Sequence, residues 1–140
     1  MDGNGLFGYE RAGDFPNGSD TLTAMGAFCL FGDRGALGAE PAEAVKIEQA
    51  LWSVAANWNK ETDFYRWFFL AHAIQASGTP ELRASLARIQ ESLLGMRSVE
   101  GATAGTWDPK GAWSSVGGRL YTTAMATLAL EAGSSRASAL

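Results

Sequence analysis

The sequence predicts an all-α chain of five helices, near residues 20–31, 41–57, 63–77, 80–95 and 118–132. Three observations carry that prediction. Segments of helical length recur between Gly- and Pro-containing breaks, with apolar residues at helical spacing. The segments alternate in character, the first, third and fifth being apolar on nearly every face and the second and fourth on one face only. The tripeptide Thr-Ala-Met stands at 23–25 and again at 123–125, two such units apart, a period of about 50 residues. Periods of that order mark solenoids and closed arrays. In a double-layered helical array the inner helices touch neighbours on both sides and the outer ones keep a wet face. Helices one, three and five are therefore expected side by side, roughly parallel, as the inner layer.

Each element has its own signals. Residues 1–19 form a Gly-rich loop carrying Phe7, Tyr9 and Phe15, aromatics large enough to predict that the loop packs on something. Ser19 or Asp20 caps the first helix and Gly32 stops it. Cys29 on that helix reads as a small buried apolar residue. Residues 32–40 read as a linker. Pro41 then suits a first helical turn, with Glu43 near the positive end of the helix dipole. The stripe of this second helix is Ala44, Ile47, Leu51, Val54 or Ala55, and Trp58.

Thr62 reads as the cap of the third helix, with Asp63 in its first turn and Gly78 as its end. Thr79-Pro80-Glu81 combines cap, first-turn proline and acid, and Leu82, Leu86, Ile89 and Leu93 give the fourth helix its single stripe. Residues 105–133 hold an ordered loop and a buried helix. Trp107, Trp113 and Tyr121 are too large and apolar to stay in water, while Asp108-Pro109 and Gly117-Gly118 supply turns. Arg119 is expected to anchor loop carbonyls or Asp108, since its planar fork suits fixed bidentate contacts. Gly133 reads as a positive-φ stop, and residues 134–140 as a frayed tail.

Composition removes several functional classes. A net charge of −4 leaves no basic stripe to neutralise phosphates, which argues against a nucleic-acid partner. No apolar run reaches the ~18 residues of a membrane span. Residues 1–13 resemble neither a secretory signal nor a transit peptide, so a soluble chain is expected, its compartment unspecified. One cysteine and one histidine, Cys29 and His72, make neither a disulfide framework nor a zinc set, and no metal or other cofactor is expected.

Particular residues point to a family. The block Gly105-Thr106-Trp107-Asp108-Pro109, then Trp113, then Gly117-Gly118-Arg119-Leu120-Tyr121-Thr122-Thr123-Ala124, resembles the repeat of the squalene cyclase and prenyltransferase superfamily. It is most similar to the bacterial prenyltransferase/squalene oxidase repeat proteins. Asp63-Phe64-Tyr65-Arg66-Trp67-Phe68-Phe69 resembles the family's aromatic-rich inner helix. Gly5-Leu6-Phe7-Gly8-Tyr9 with Thr21-Leu22-Thr23-Ala24-Met25-Gly26 resembles a further unit. The resemblance implies an α/α toroid, of which five helices, about two and a half hairpins, make an arc within a single partial domain spanning 1–140. Two departures stand out. Met96 occupies the place of a glutamine that braces the tryptophan in relatives, and Gly101-Ala102-Thr103 stands where cysteine is common.

The chemistry of the family's enzymes is not carried over. Class II cyclases protonate an alkene with the middle acid of Asp-x-Asp-Asp-Thr-Ala, and here Asn17-Gly18-Ser19-Asp20-Thr21 offers the hydroxyl of Ser19 instead. The Asp-x-Cys zinc pattern of prenyltransferases and the thioester motif of complement-type domains are absent. No catalytic residue is assigned. The candidates for a ligand-facing surface are Tyr65, Trp67, Phe68, His72, Trp107, Trp113 and Tyr121, and those for a structural loop are Asp108, Gly117, Gly118 and Arg119. Each has a plainer reading: His72 as a core histidine bonded to a carbonyl, the rings of 64–69 as core, and Asp63 and Asp108 as turn or first-turn acids rather than a glycosidase pair.

The expected function is thus a non-catalytic or incomplete repeat module that binds or packs through an apolar inner face. The alternative is a fragment of an isoprenoid-processing enzyme whose catalytic acid lies in repeats elsewhere. The expected partners are an isoprenoid-like hydrophobic ligand, and either further copies of the chain or the missing repeats of a longer one. The last two would cover Phe28, Leu30 and Phe31 at one end of the arc and Leu120, Met125 and Leu128 at the other.

Overall fold

The computed structural model describes residues 1–16, 18–32 and 40–133; the linker expected at 32–40 and the tail expected at 134–140 lie mainly or wholly outside them. Among the described residues there are five α-helices and no strand: α1 (Asp20–Gly32), α2 (Pro41–Ala56), α3 (Phe64–Ser77), α4 (Arg83–Met96) and α5 (Ser114–Glu131). Short 3-10 turns at Pro80–Leu82 and Gly101–Thr103 lead into α4 and into the loop before α5. No helix of the described residues is long and apolar enough to cross a membrane.

α3 is the centre. It packs most extensively on α1, next on α5, and also on α2 and α4. Side-chain contacts fix the directions. Arg66 at the start of α3 faces Asp20 at the start of α1, while Phe28 near the end of α1 stacks against His72 further along α3. The loop before α5 abuts Thr62 just ahead of α3, and the His72 imidazole Nε2 donates to the Leu128 carbonyl at 3.0 Å. Helices α1, α3 and α5 therefore run the same way, in that lateral order. α2 and α4 run against them. Trp58, just past the end of α2, accepts the Trp67 indole N–H at 2.8 Å, and Thr79, past the end of α3, donates to Glu48 in α2.

The one-sided helices bury the stripes read from the sequence. Ile47, Leu51, Val54 and Ala55 of α2 are in the core, as are Leu82, Leu86, Ile89 and Leu93 before and along α4. Each large apolar side chain so buried is worth about 1.5–3 kcal/mol. The all-round burial expected of helices one, three and five is realised most fully in α3. α1 buries only Thr23, Ala24 and Ala27, small residues that let it lie close against α3. On α5, Val116 is 87% and Leu120 83% exposed, and Leu128 is exposed too. A helix at the end of a row has a neighbour on one side only. At the α1 end, however, Phe28, Leu30 and Phe31 are partly buried against the core, because Phe28 turns its ring to Phe68, Phe69 and His72.

Several local expectations are corrected. Cys29 is exposed, since α1 has no neighbour on its side. Asp63, not Thr62, caps α3: its carboxylate accepts the Arg66 backbone N–H at 3.1 Å. The C-terminal stop of α3 is Gly78 at φ 69°, but α5 ends through a right-handed Ala132, and Gly133 takes no positive φ; a Cβ there would strike the Gln90 amide. Gly118 (φ 59°, ψ −157°) breaks the fifth segment, so a short turn of 114–117 precedes the continuous helix.

The two Thr-Ala-Met units share one hydrogen bond. Thr23 Oγ1 accepts the backbone N–H of Phe7, and Thr123 Oγ1 accepts that of Trp107, each across 16 residues. In both units the aromatic residue of the preceding loop is thereby tied to its helix. Phe7 lies over Gly26, where a Cβ would strike its ring. Trp107 is 4% exposed, donates its indole N–H to the Leu93 carbonyl at 2.6 Å, and accepts from Thr122 Oγ1 at 2.8 Å. Trp107→Phe leaves the Leu93 carbonyl unpaired and a gap behind it. A loss of about 2–4 kcal/mol is expected in urea unfolding. Leu120→Ala, on the exposed flank, is expected to stay within about 0.5 kcal/mol.

Candidate functional site

Because α1, α3 and α5 run in parallel, their N-terminal ends come together, and a cavity of about 1050 Å³ opens there. The loops before each helix complete it. Tyr9, Pro16 and Ser19 come from the first, Glu61 and Asp63 from the second, Ala112 and Trp113 from the third. Leu22 and Met25 of α1, Tyr65 and Arg66 of α3 and Tyr121 of α5 line the remainder. A smaller hollow of about 460 Å³ lies between α2 and α4, beside Trp52, Trp58 and Arg88. Its walls are the facing surfaces of α2 and α4 and the turn at Trp58 and Asn59.

Arg66 is the buried charge of the cavity, only 8% exposed. Its Nη2 donates to the carbonyl of Glu61 at 3.1 Å and, more weakly, to that of Trp58 at 3.5 Å, while Nη1 lies 3.9 Å from the Asp20 carboxylate. A buried guanidinium needs such partners, because an unpaired one is costly to desolvate. Its Nε is screened from water and has no hydrogen-bond partner. The Tyr121 phenolic oxygen is in the same position, screened and unpartnered. Burial, then the Asp63 carboxylate and Tyr65 beside it, push the Tyr121 hydroxyl up to about 12.

Trp113 stands in the loop ahead of α5 with φ 65°, the one non-glycine residue among those described with a left-handed backbone, and is 63% exposed. That conformation costs a side-chain-bearing residue on the order of 1–2 kcal/mol. The turn is held from both sides. Gly111 packs so closely on Thr62 that a Cβ would strike the Thr62 carbonyl, and the buried Ser114 hydroxyl donates to the Gly111 carbonyl at 2.7 Å. Tyr121 lies over Gly117, where a Cβ would meet its side chain.

Of the residues singled out in the sequence, the cavity gathers Tyr65, Trp113 and Tyr121. Trp67 and Trp107 are buried in the core, both donating to main-chain carbonyls. Phe68 and His72 belong to the ring cluster with Phe28 between α1 and α3. Asp108 lies outside the cavity lining and pairs with Arg119, whose Nη2 meets it at 2.6 Å and whose Nη1 donates to Thr106 Oγ1 at 3.1 Å. Sequence reading missed Tyr9, Glu61 and Arg66 as cavity residues. The signal available for Arg66 was a lone cation on an otherwise apolar helix.

The raised Tyr121 hydroxyl has a readout. Between pH 10 and 12 the unfolded chain releases this proton while the folded chain keeps it. The contribution is therefore fully present below pH 10 and is lost as pH rises through about 12. Ultraviolet titration of tyrosinate should show a step at about pH 12, and Tyr121→Phe should remove it.

No family model matches this chain, and neither a curated protein nor a solved structure does. What the cavity can do follows from its own residues.

Proposed function

We propose that this chain is a non-catalytic helical-repeat binding unit. In this reading it is an arc of a two-layered α/α array of the squalene cyclase and prenyltransferase type, with α1, α3 and α5 as inner helices and α2 and α4 as outer ones. The cavity at the shared N-terminal ends receives a small ligand, against which Leu22, Met25 and Tyr65 supply apolar surface. The observation that carries the repeat reading is the duplicated tie of loop aromatic to helix threonine, Phe7 to Thr23 and Trp107 to Thr123, at one spacing. Local sequence resemblance and hydrogen bonding agree there.

Binding rather than catalysis is favoured by how the cavity's acids are used. The Asp63 carboxylate holds the start of α3, and that of Asp20 faces Arg66. Ser19 stands where a cyclase needs its proton-donating acid. The second reading, part of an isoprenoid-processing enzyme, draws its support from three acidic residues, Asp20, Glu61 and Asp63, in the lining of one cavity. Turnover separates the two. Incubation with farnesyl and geranylgeranyl diphosphate is expected to return both unchanged, and product above the no-protein control overturns the binding-unit reading.

The partner in this proposal sits on the outer flank of α5. Val116 and Leu120 are almost fully exposed there, as a helix awaiting the next inner helix would be. A second copy of the chain, or a further repeat of a longer one, covers it. Light scattering at tens of micromolar is expected to show association, and Leu120→Glu with Val116→Glu to return a monomer of unchanged helicity. A parent chain that is already monomeric removes the flank from the proposal.

A further inference from the structure

We propose that the hollow between the two outer helices binds a short carbohydrate, its C–H face on α2 and its hydroxyls toward α4. This site lies apart from the cavity at the helix starts and does not depend on it. α2 and α4 run in the same direction, and each turns a row of side chains at helical spacing to the hollow. From α2 and the turn after it come Trp52, Ala55, Ala56 and Asn59; from α4 come Ser85, Arg88 and Ser92, with Glu91 beside them. The first wall is mainly apolar and the second wholly polar. Trp52 is not part of the core. The buried stripe of α2 is Ile47, Ala50, Leu51, Val54 and Ala55, and Trp52, off that stripe, is 43% exposed. Alanines beside it keep the space of about 460 Å³ open, within the range of small-molecule sites. Trp58 closes one end, its ring fixed edge-on against Trp67 at 5.5 Å.

The polar groups decide the class of ligand. Among the described residues, the side chains of Asn59, Ser85, Arg88, Glu91 and Ser92 and the Trp58 indole N–H have no hydrogen-bond or ion-pair partner. They are open to a ligand as well. Asn59, Arg88 and Glu91 are exposed, and the half-buried Ser85, Ser92 and Trp58 have no polar atom closed to water. Donors and acceptors thus stand together, with one positive and one negative charge. An anion that suits Arg88 meets the Glu91 carboxylate one turn away, and a cation meets the reverse. A hydrocarbon strips water from all of these groups and offers nothing in return. A zwitterion serves the two charges alone and leaves the hydroxyls, the amide and the indole N–H to water. A sugar hydroxyl donates and accepts at once, so neighbouring hydroxyls on one ring can serve Arg88, Glu91 and the serines together. The opposite face of that ring is C–H, and the indole of Trp52 is a flat apolar surface for it.

The test is titration of the whole chain, followed by ligand-observed NMR, with cellobiose, maltose and N,N′-diacetylchitobiose. Phenylalanine, phenylacetate and phenethylammonium are run in parallel as zwitterion, anion and cation. At least one disaccharide is expected to bind with a Kd of about 1 mM or below, and to weaken about tenfold in Trp52→Ala and in Arg88→Ala. Trp113→Gly, in the cavity at the helix starts, is expected to bind as the parent does. Arg88 is exposed and has no partner to lose, so Arg88→Ala should melt with the parent, and its weaker binding is loss of contact, not of fold. Absence of disaccharide binding overturns the proposal, whether or not a charged probe binds. So does binding that neither hollow variant weakens, or that Trp113→Gly alone weakens.

Discussion

The structure depends on a helix that is apolar on nearly every side. α3 carries Phe64, Trp67, Leu70, Ala71, Ala73 and Ile74 fully buried, with further rings between them. Such a helix cannot lie on a surface, because each face left wet would cost about the transfer free energy of its side chains. It must be enclosed. Enclosure by α1 and α5 on the flanks and by α2 and α4 behind follows, and the flanking helices then become edges. The exposed row on α5 is thus a consequence of burying α3, not an independent feature.

The same constraint places the cavity. Three helices packed in one direction bring three N-terminal ends, with their unpaired backbone donors, to one side of the molecule. Those ends do not close on one another, and each has a loop before it on that same side of the molecule. The loops instead surround a space and are tied down singly: Phe7 to Thr23, Asp63 to the start of α3, Gly111 against Thr62, Trp107 to Thr123. Arg66 sits where the first two loops meet and bridges the carbonyls of Trp58 and Glu61 toward Asp20. A buried guanidinium there gives cohesion that apolar side chains cannot, since the surfaces to be joined are main-chain oxygens.

Much of the fold was legible in the sequence, and the reason is periodicity. The stripes of α2 and of Leu82, Leu86, Ile89 and Leu93 repeat at helical spacing and bury the residues that spacing selects. Burial all round was over-read for α1 and α5, because apolarity says that a face wants a partner and not that the chain supplies one. Cys29 was misplaced for that reason. The site was legible only in its aromatic part. Trp113 and Tyr121 stood out as large rings near glycines and Tyr65 as one of the rings of an aromatic-rich helix, whereas Tyr9 and Glu61 reach the cavity through tertiary contacts that no local pattern encodes.

The acids were visible in the sequence and read there as structural, and the structure adds neighbours that the sequence does not show. An acid beside a helix N-terminus is stabilised by the unpaired N–H groups and the helix dipole, whatever else it does. Asp20 and Asp63 occupy such positions, so a structural role accounts for each when it is considered alone. Only the parallel packing of α1 and α3 turns two separate helix starts into neighbours across one cavity, with Arg66 between them. A role that arises from juxtaposition cannot be read from either residue's own surroundings in the sequence. The resulting surface is fixed by the same interactions that hold the helices. The Asp63 carboxylate accepts the Arg66 backbone N–H and that of Asp20 lies 3.9 Å from the Arg66 guanidinium, so one residue of α3 sets the place of both acids.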